Sequence, residues 1–136
     1  MVVDDSAIMR KMVMKNLSAS ELANFSFTEA QDGQDALDKF KDGEFDILFV
    51  DWNMPNMSGI ELVRAVRAKE KGKVSIVMVT SESTMARIEE ALEDAGADSY
   101  ICKPFTPEVV CKKLAPVLEN LNASKKKGGF FAKLAS

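Results

Sequence analysis

Histidine is absent from these 136 residues, so no chemistry here can use an imidazole supplied by this chain. Cysteine is scarce: Cys102 and Cys111 lie in a short apolar run and a helical pattern, match no metal-ligand spacing, and read as reduced core thiols. No apolar stretch approaches the roughly 18 residues of a membrane span, and the N-terminus lacks the basic-then-apolar pattern of a secretory signal, so a cytoplasmic chain with no membrane partner is expected. Basic charge is not in excess either. A net charge of -3 supplies no sequence-independent attraction for nucleic acid. The remainder, 46% hydrophobic and 29% charged, has the composition and length of one globular domain with a substantial core.

Four apolar runs stop on functional groups. Ile47 to Val50 is too short for a helix, reads as a buried strand, and ends at Asp51, with the loop residues Pro55 and Gly59 behind it. Val2 and Val3 run into the adjacent pair Asp4 and Asp5. Val74 to Val79 runs into Thr80, and Tyr100 to Cys102 into Lys103, followed by Pro104. Helical patterns separate these runs, and Phe25 to Ala30 alternates as an edge strand would. The pattern predicts an α/β fold, an open parallel sheet whose ligand sits outside the carboxyl ends of its strands.

Between the strands, Asp5 or Ser6 caps a first helix with Ile8, Met9, Met12, Val13 and Leu17 on one face. Ala36, Leu37 and Phe40 mark a second helix, stopped at Gly43, and Ile60, Val63 and Val66 a third, ending near Lys71 and Gly72. Met85, Ile88, Leu92 and Ala95 mark a fourth, closed by Gly96. Thr106 caps a fifth with Pro107 at its first position. Its apolar period passes through Pro116, whose ring and missing N–H predict a kink.

Bringing Asp4, Asp5 and Asp51 to one edge crowds three carboxylates, a repulsion that a divalent cation relieves; oxygen donors with room for water and phosphate suit Mg²⁺. Lys103 adds a point charge and Thr80 a hydroxyl, both suited to phosphoryl oxygens. A carboxylate with a metal, an ammonium and a hydroxyl around it is the equipment of phosphoryl transfer, with Asp51 as nucleophile.

The segments VVDDSAIMRKM, VDWNMPNMSG, VMVTSE and YICKPFT, in this order and at these separations, resemble the receiver domain of two-component response regulators, and within it the chemotaxis branch. The resemblance covers about residues 2 to 121. It implies a doubly wound, flavodoxin-like sheet of five parallel strands in the order 2-1-3-4-5 with five helices. It further implies Asp51 as phospho-acceptor and Mg²⁺ held by Asp5 and Asp51 directly, by Asp4 through water and by the backbone carbonyl of Asn53. Thr80 and Lys103 would contact the phosphoryl group, Lys103–Pro104 would be a cis peptide, and Thr80 and Tyr100 would form the switch. The implied partners are a histidine kinase as phosphodonor, a phosphatase, and a flagellar motor switch or other output protein. The output partner would meet the surface of helix 4, strand 5 and helix 5, including Met85, Ile88 and Tyr100. A monomer is expected, active only in its own phosphotransfer and autodephosphorylation.

Two features depart from the family pattern: a first strand with only Met1 to Val3 ahead of the acidic pair, and residues 122–136, which read as a flexible basic and aromatic tail. In that tail Phe130, Phe131 and Leu134 form a small apolar face that calls for a protein surface. The competing readings are a receiver belonging to a larger regulator with an output domain, and a haloacid-dehalogenase-like phosphatase. The phosphatase would need an Asp-x-Asp arrangement, whereas the acidic pair here is adjacent and residue 53 is Asn. A flavin module would need a Gly/Ser/Thr phosphate cradle after the first strand, where DDSAIM stands.

Overall fold

A computed structural model describes residues 1–70, 74–81 and 83–135, with side chains described as far as residue 121. Five parallel strands lie in the order β2-β1-β3-β4-β5, where β1 is Val2–Val3, β2 Glu29–Ala30, β3 Ile47–Val50, β4 Ser75–Thr80 and β5 Ser99–Cys102. The five helices are α1 (Ala7–Ala19), α2 (Gly33–Lys39), α3 (Gly59–Lys69), α4 (Met85–Glu89) and α5 (Pro107–Ala135), and α4 continues as a π-helical stretch over Glu90–Ala95. The expected fold class and strand order are thus observed.

Alternation along the strands divides the core in two. Val3, Leu48, Val50, Ile76, Met78 and Tyr100 point to one side, with Ile60, Leu62, Val63 and Val66 of α3 packed over them. Val2, Ile47, Phe49, Val77, Val79 and Ile101 point to the other, against Val13 and Leu17 of α1 and Val110, Leu114 and Val117 of α5. Apolar residues occupy both faces of β3 and β4 because helices cover both faces of the sheet.

Helix starts follow their caps. Ser6, Asp32, Ser58 and Thr84 each accept a hydrogen bond from the backbone N–H three residues on, satisfying a donor that the helix cannot pair internally. Gly96 ends the fourth helical unit in the left-handed region at φ 90°, where its N–H reaches the Ala91 carbonyl. Helix α5 is helical on both sides of Pro116.

Several expectations are corrected in detail. Ile8 and Met12 do not join the inner face of α1: they are 72% and 47% exposed, and only Val13 and Leu17 of that helix are buried. Likewise Met85 is 71% exposed and Leu92 lies at the surface, so the fourth helix packs through Ala91 and Ala95, with Ile88 half-buried against the same core as expected. Strand β2 is confined to Glu29–Ala30; Phe25 and Phe27 precede it with their rings stacked at 5.8 Å. Helix α3 stops at Lys69, and the expected end near Lys71 and Gly72 lies outside the described residues. The backbone of α5 runs on past residue 121, while the side chains of the expected tail are outside the description.

Candidate functional site

Strand register assembles the site. Val3 pairs with Val50, so the next residues along, Asp4 and Asp51, are lateral neighbours, and Asp51 N–H donates to the Val3 carbonyl at 2.9 Å. On the other side Thr80 pairs with Cys102, so Lys103 stands one residue beyond Thr80 and donates its N–H to the Thr80 carbonyl at 2.9 Å. Everything converges because each strand stops at the same height.

Asp4 and Thr80 are buried and Asp51 is 9% exposed, whereas Asp5 is exposed at the mouth. Carboxylate oxygens of Asp4, Asp5 and Asp51 lie within 4.8 Å of one another. The Lys103 ammonium donates to Asp4 Oδ2 at 3.0 Å and stands 3.5 Å from Asp51 Oδ1. One cation therefore balances two buried carboxylates. Burial pushes the Asp51 carboxyl above the usual carboxylate range and the neighbouring Asp4 adds to this, while the Lys103 charge, a hydrogen bond from the Thr80 hydroxyl and one from the Trp52 backbone pull against it.

Asp4 is further held by the Ser6 N–H on its Oδ1 at 2.9 Å, and Arg10 donates to its carbonyl oxygen at 2.6 Å. Glycine 59 has a steric role: a Cβ there would collide with the Asp51 carbonyl oxygen, so only glycine lets the start of α3 sit directly on the backbone of that residue. The Gly59 N–H closes the loop on the Trp52 carbonyl at 2.8 Å. Trp52 is buried, and the Arg87 guanidinium of α4 lies 5.2 Å from its ring centroid. Asn53 is exposed on the same loop. Lys103–Pro104 is a cis peptide, as expected.

Sequence reasoning named the convergent groups and overlooked four that support them: Ser6, as a donor to Asp4, Arg10, Gly59 and Arg87. Gly59 was visible as punctuation before a helix; the Arg87–Trp52 contact joins residues far apart in the chain, and the Arg10–Asp4 contact, though it spans only six residues, depends on how α1 folds back over the end of β1. Tyr100 is buried at 5% exposure; on the fourth helix Met85 is exposed, whereas Ile88 is half-buried and packs against the core cluster that contains Tyr100.

The donor set fits a small hard cation. Three carboxylates with oxygens within 4.8 Å of one another, Asp5 among them exposed at the mouth, supply the oxygen donors that such an ion takes.

The family model "Response regulator receiver domain" matches residues 1–115. The chain belongs to the response regulator receiver family. This receiver is 44% identical over 126 residues to the chemotaxis protein CheY of Pseudomonas aeruginosa, covering 90% of this chain and 97% of that protein. It is 43% identical over 120 residues to a CheY homolog of Campylobacter jejuni, covering 87% and 90%. Among solved structures, the CheY4 chemotaxis response regulator of Vibrio cholerae superposes with a TM-score of 0.71 at 36% identity over 85% of this chain and 94% of that one. The receiver is of the CheY type, in the chemotaxis family, and such domains are signalling domains, not enzymes of the usual kind.

Proposed function

We propose that this receiver is a phosphorylation-driven switch in which Asp51 accepts a phosphoryl group from a phosphohistidine of a partner histidine kinase. The observation that carries the reading is the position of the Asp51 carboxylate, buried among Asp4, Thr80 and Lys103 with Asp5 at the mouth. A carboxylate oxygen attacks phosphorus in line, the P–N bond breaks, and the donor imidazole departs with the electron pair. Asp4, Asp5 and Asp51, with the Asn53 backbone carbonyl, would hold Mg²⁺, which neutralises charge on the phosphoryl oxygens when bound. Lys103 moves its charge from Asp4 toward the new phosphoryl group, and Thr80 gives it the hydrogen bond that Asp51 now receives.

That transfer of Thr80 from carboxylate to phosphoryl oxygen supplies different contacts in two states, which any switch requires. Tyr100, one strand away beneath the fourth helix, reads the change, and the face formed by α4, β5 and α5, including Met85, Ile88 and Tyr100, binds the output protein. The output is a flagellar motor switch protein in a chemotaxis pathway, a phosphatase resets the signal, and the receiver works as a cytoplasmic monomer. Its own catalysis is limited to phosphotransfer and autodephosphorylation.

Incubation with acetyl phosphate and Mg²⁺ followed by intact mass tests the assignment. The native chain is expected to gain one phosphoryl group and Asp51→Asn none; undiminished labelling of Asp51→Asn would overturn it.

A further inference from the structure

At the end of the sheet opposite Asp51, the amino-terminal ends of the strands border a cavity of about 360 Å³. Phe25, Phe27, Phe45, Leu118 and Leu121 line it and are only half-buried, so five large apolar side chains face a space that the described residues leave open. Its volume lies within the ~300–1,000 Å³ typical of pockets that hold a sizeable organic group. Glu44 and Asp46, both exposed, belong to the same lining and give the site a negative edge. Nothing in the phosphoryl-transfer reading uses it.

We propose that this cavity docks the carboxyl-terminal segment of the same chain, with Phe130, Phe131 and Leu134 as the groups that enter it. Leu121 of α5 itself lines the cavity, so the segment that follows departs from the edge of the site it would fill. Chemistry matches on both counts. The segment carries two adjacent phenylalanines and a leucine, and four lysines, Lys125, Lys126, Lys127 and Lys133, to meet Glu44 and Asp46.

Reach permits the return. Helical residues 122–128 carry the chain about 10 Å beyond Leu121 at ~1.5 Å each, and Phe130 to Leu134 span up to about 17 Å when extended. The turn falls at Gly128–Gly129, which requires the helix, continuous to Ala135 in the structure, to open there. Glycine is the poorest helix former after proline and the most tolerant of a reversal, so the break falls where the helix resists it least.

The site is therefore an intramolecular interaction surface, remote from the acceptor. A benzophenone side chain placed at position 131 of the full chain and irradiated should form an intramolecular crosslink to segment 23–28 or 44–49, mapped by mass spectrometry. In parallel, Phe130→Ser/Phe131→Ser should raise amide exchange in those two segments about tenfold while leaving β4 unchanged. A crosslink elsewhere, or equal protection in the two chains, would overturn the proposal. Crosslinked dimers whose yield rises with protein concentration would assign the site to a second copy and overturn it as well.

Discussion

Asp51 carries a charge that the fold does not favour. Burial and the neighbouring Asp4 raise its pKa in the folded chain, so the native state holds this proton to higher pH than the unfolded state does. The associated stability is fully present below the unfolded carboxylate value of about 3.9, and is lost as pH rises through the raised folded value. Asp51→Asn lacks that loss. In the absence of Mg²⁺ the stability of the variant relative to the native chain should therefore climb as pH rises from about 4 to 7, read by urea unfolding. The Met1 amine, lowered to about 6 by burial, titrates in both chains and cancels in the comparison. Mg²⁺ should close the gap: a ligand at 100 times its Kd adds about 2.7 kcal/mol to a chain that binds it, and the variant should gain less. A flat difference across this pH range would contradict the charge balance described for the site.

At the scale of elements, the fourth helix has an unusual hold on the molecule. No residue of Met85–Glu89 is fully buried; the segment is held by its Thr84 cap, by Ile88 half-buried against the core and by the Arg87 guanidinium over Trp52, with Glu90 bridging Arg87 and Arg64. A cation over an indole is worth about 0.5–1 kcal/mol where the cation is solvated. Arg87→Ala should cost about that much in global stability, speed amide exchange in residues 85–89, and shift the emission of the only tryptophan toward that of a wetter indole. An unchanged spectrum and unchanged exchange would show that the contact does not hold the helix. The legibility of the chain divides along the same line. Caps such as Ser6 and Thr106 and strand ends such as Val50-Asp51 depend on near neighbours, and the sequence reading placed them correctly. Which apolar residue of a periodic helix faces inward depends on the element it meets, so Ile8 and Met12 were assigned to the core although they face solvent, and Leu62, fully buried, was passed over. Arg67 was missed for the same reason: it donates to the nearby Val74 carbonyl and also to the Gly96 carbonyl and Asp98, and these last two lie across gaps that no sequence window spans.

For the molecule as a whole, the roles proposed here fall on opposite ends of the sheet: phosphoryl chemistry at the carboxyl ends of the strands, the aromatic cavity at the amino ends. Perpendicular to that axis, the sheet also separates two sets of core residues that share no side-chain cluster. Substitutions on one side should be thermodynamically blind to those on the other. Ile76→Val, under α3, and Ile101→Val, under α1 and α5, should each cost about 0.5–1.5 kcal/mol, and the double variant the sum to within about 0.5 kcal/mol. A coupling above that in a double-mutant cycle would mean that strain crosses the strands. If the terms add, the sheet acts as a septum. The half of the protein bearing the α3 and α4 packing could then be recomposed, residue by residue, without the α1 and α5 half registering the change, which leaves each half free to diverge at its own pace.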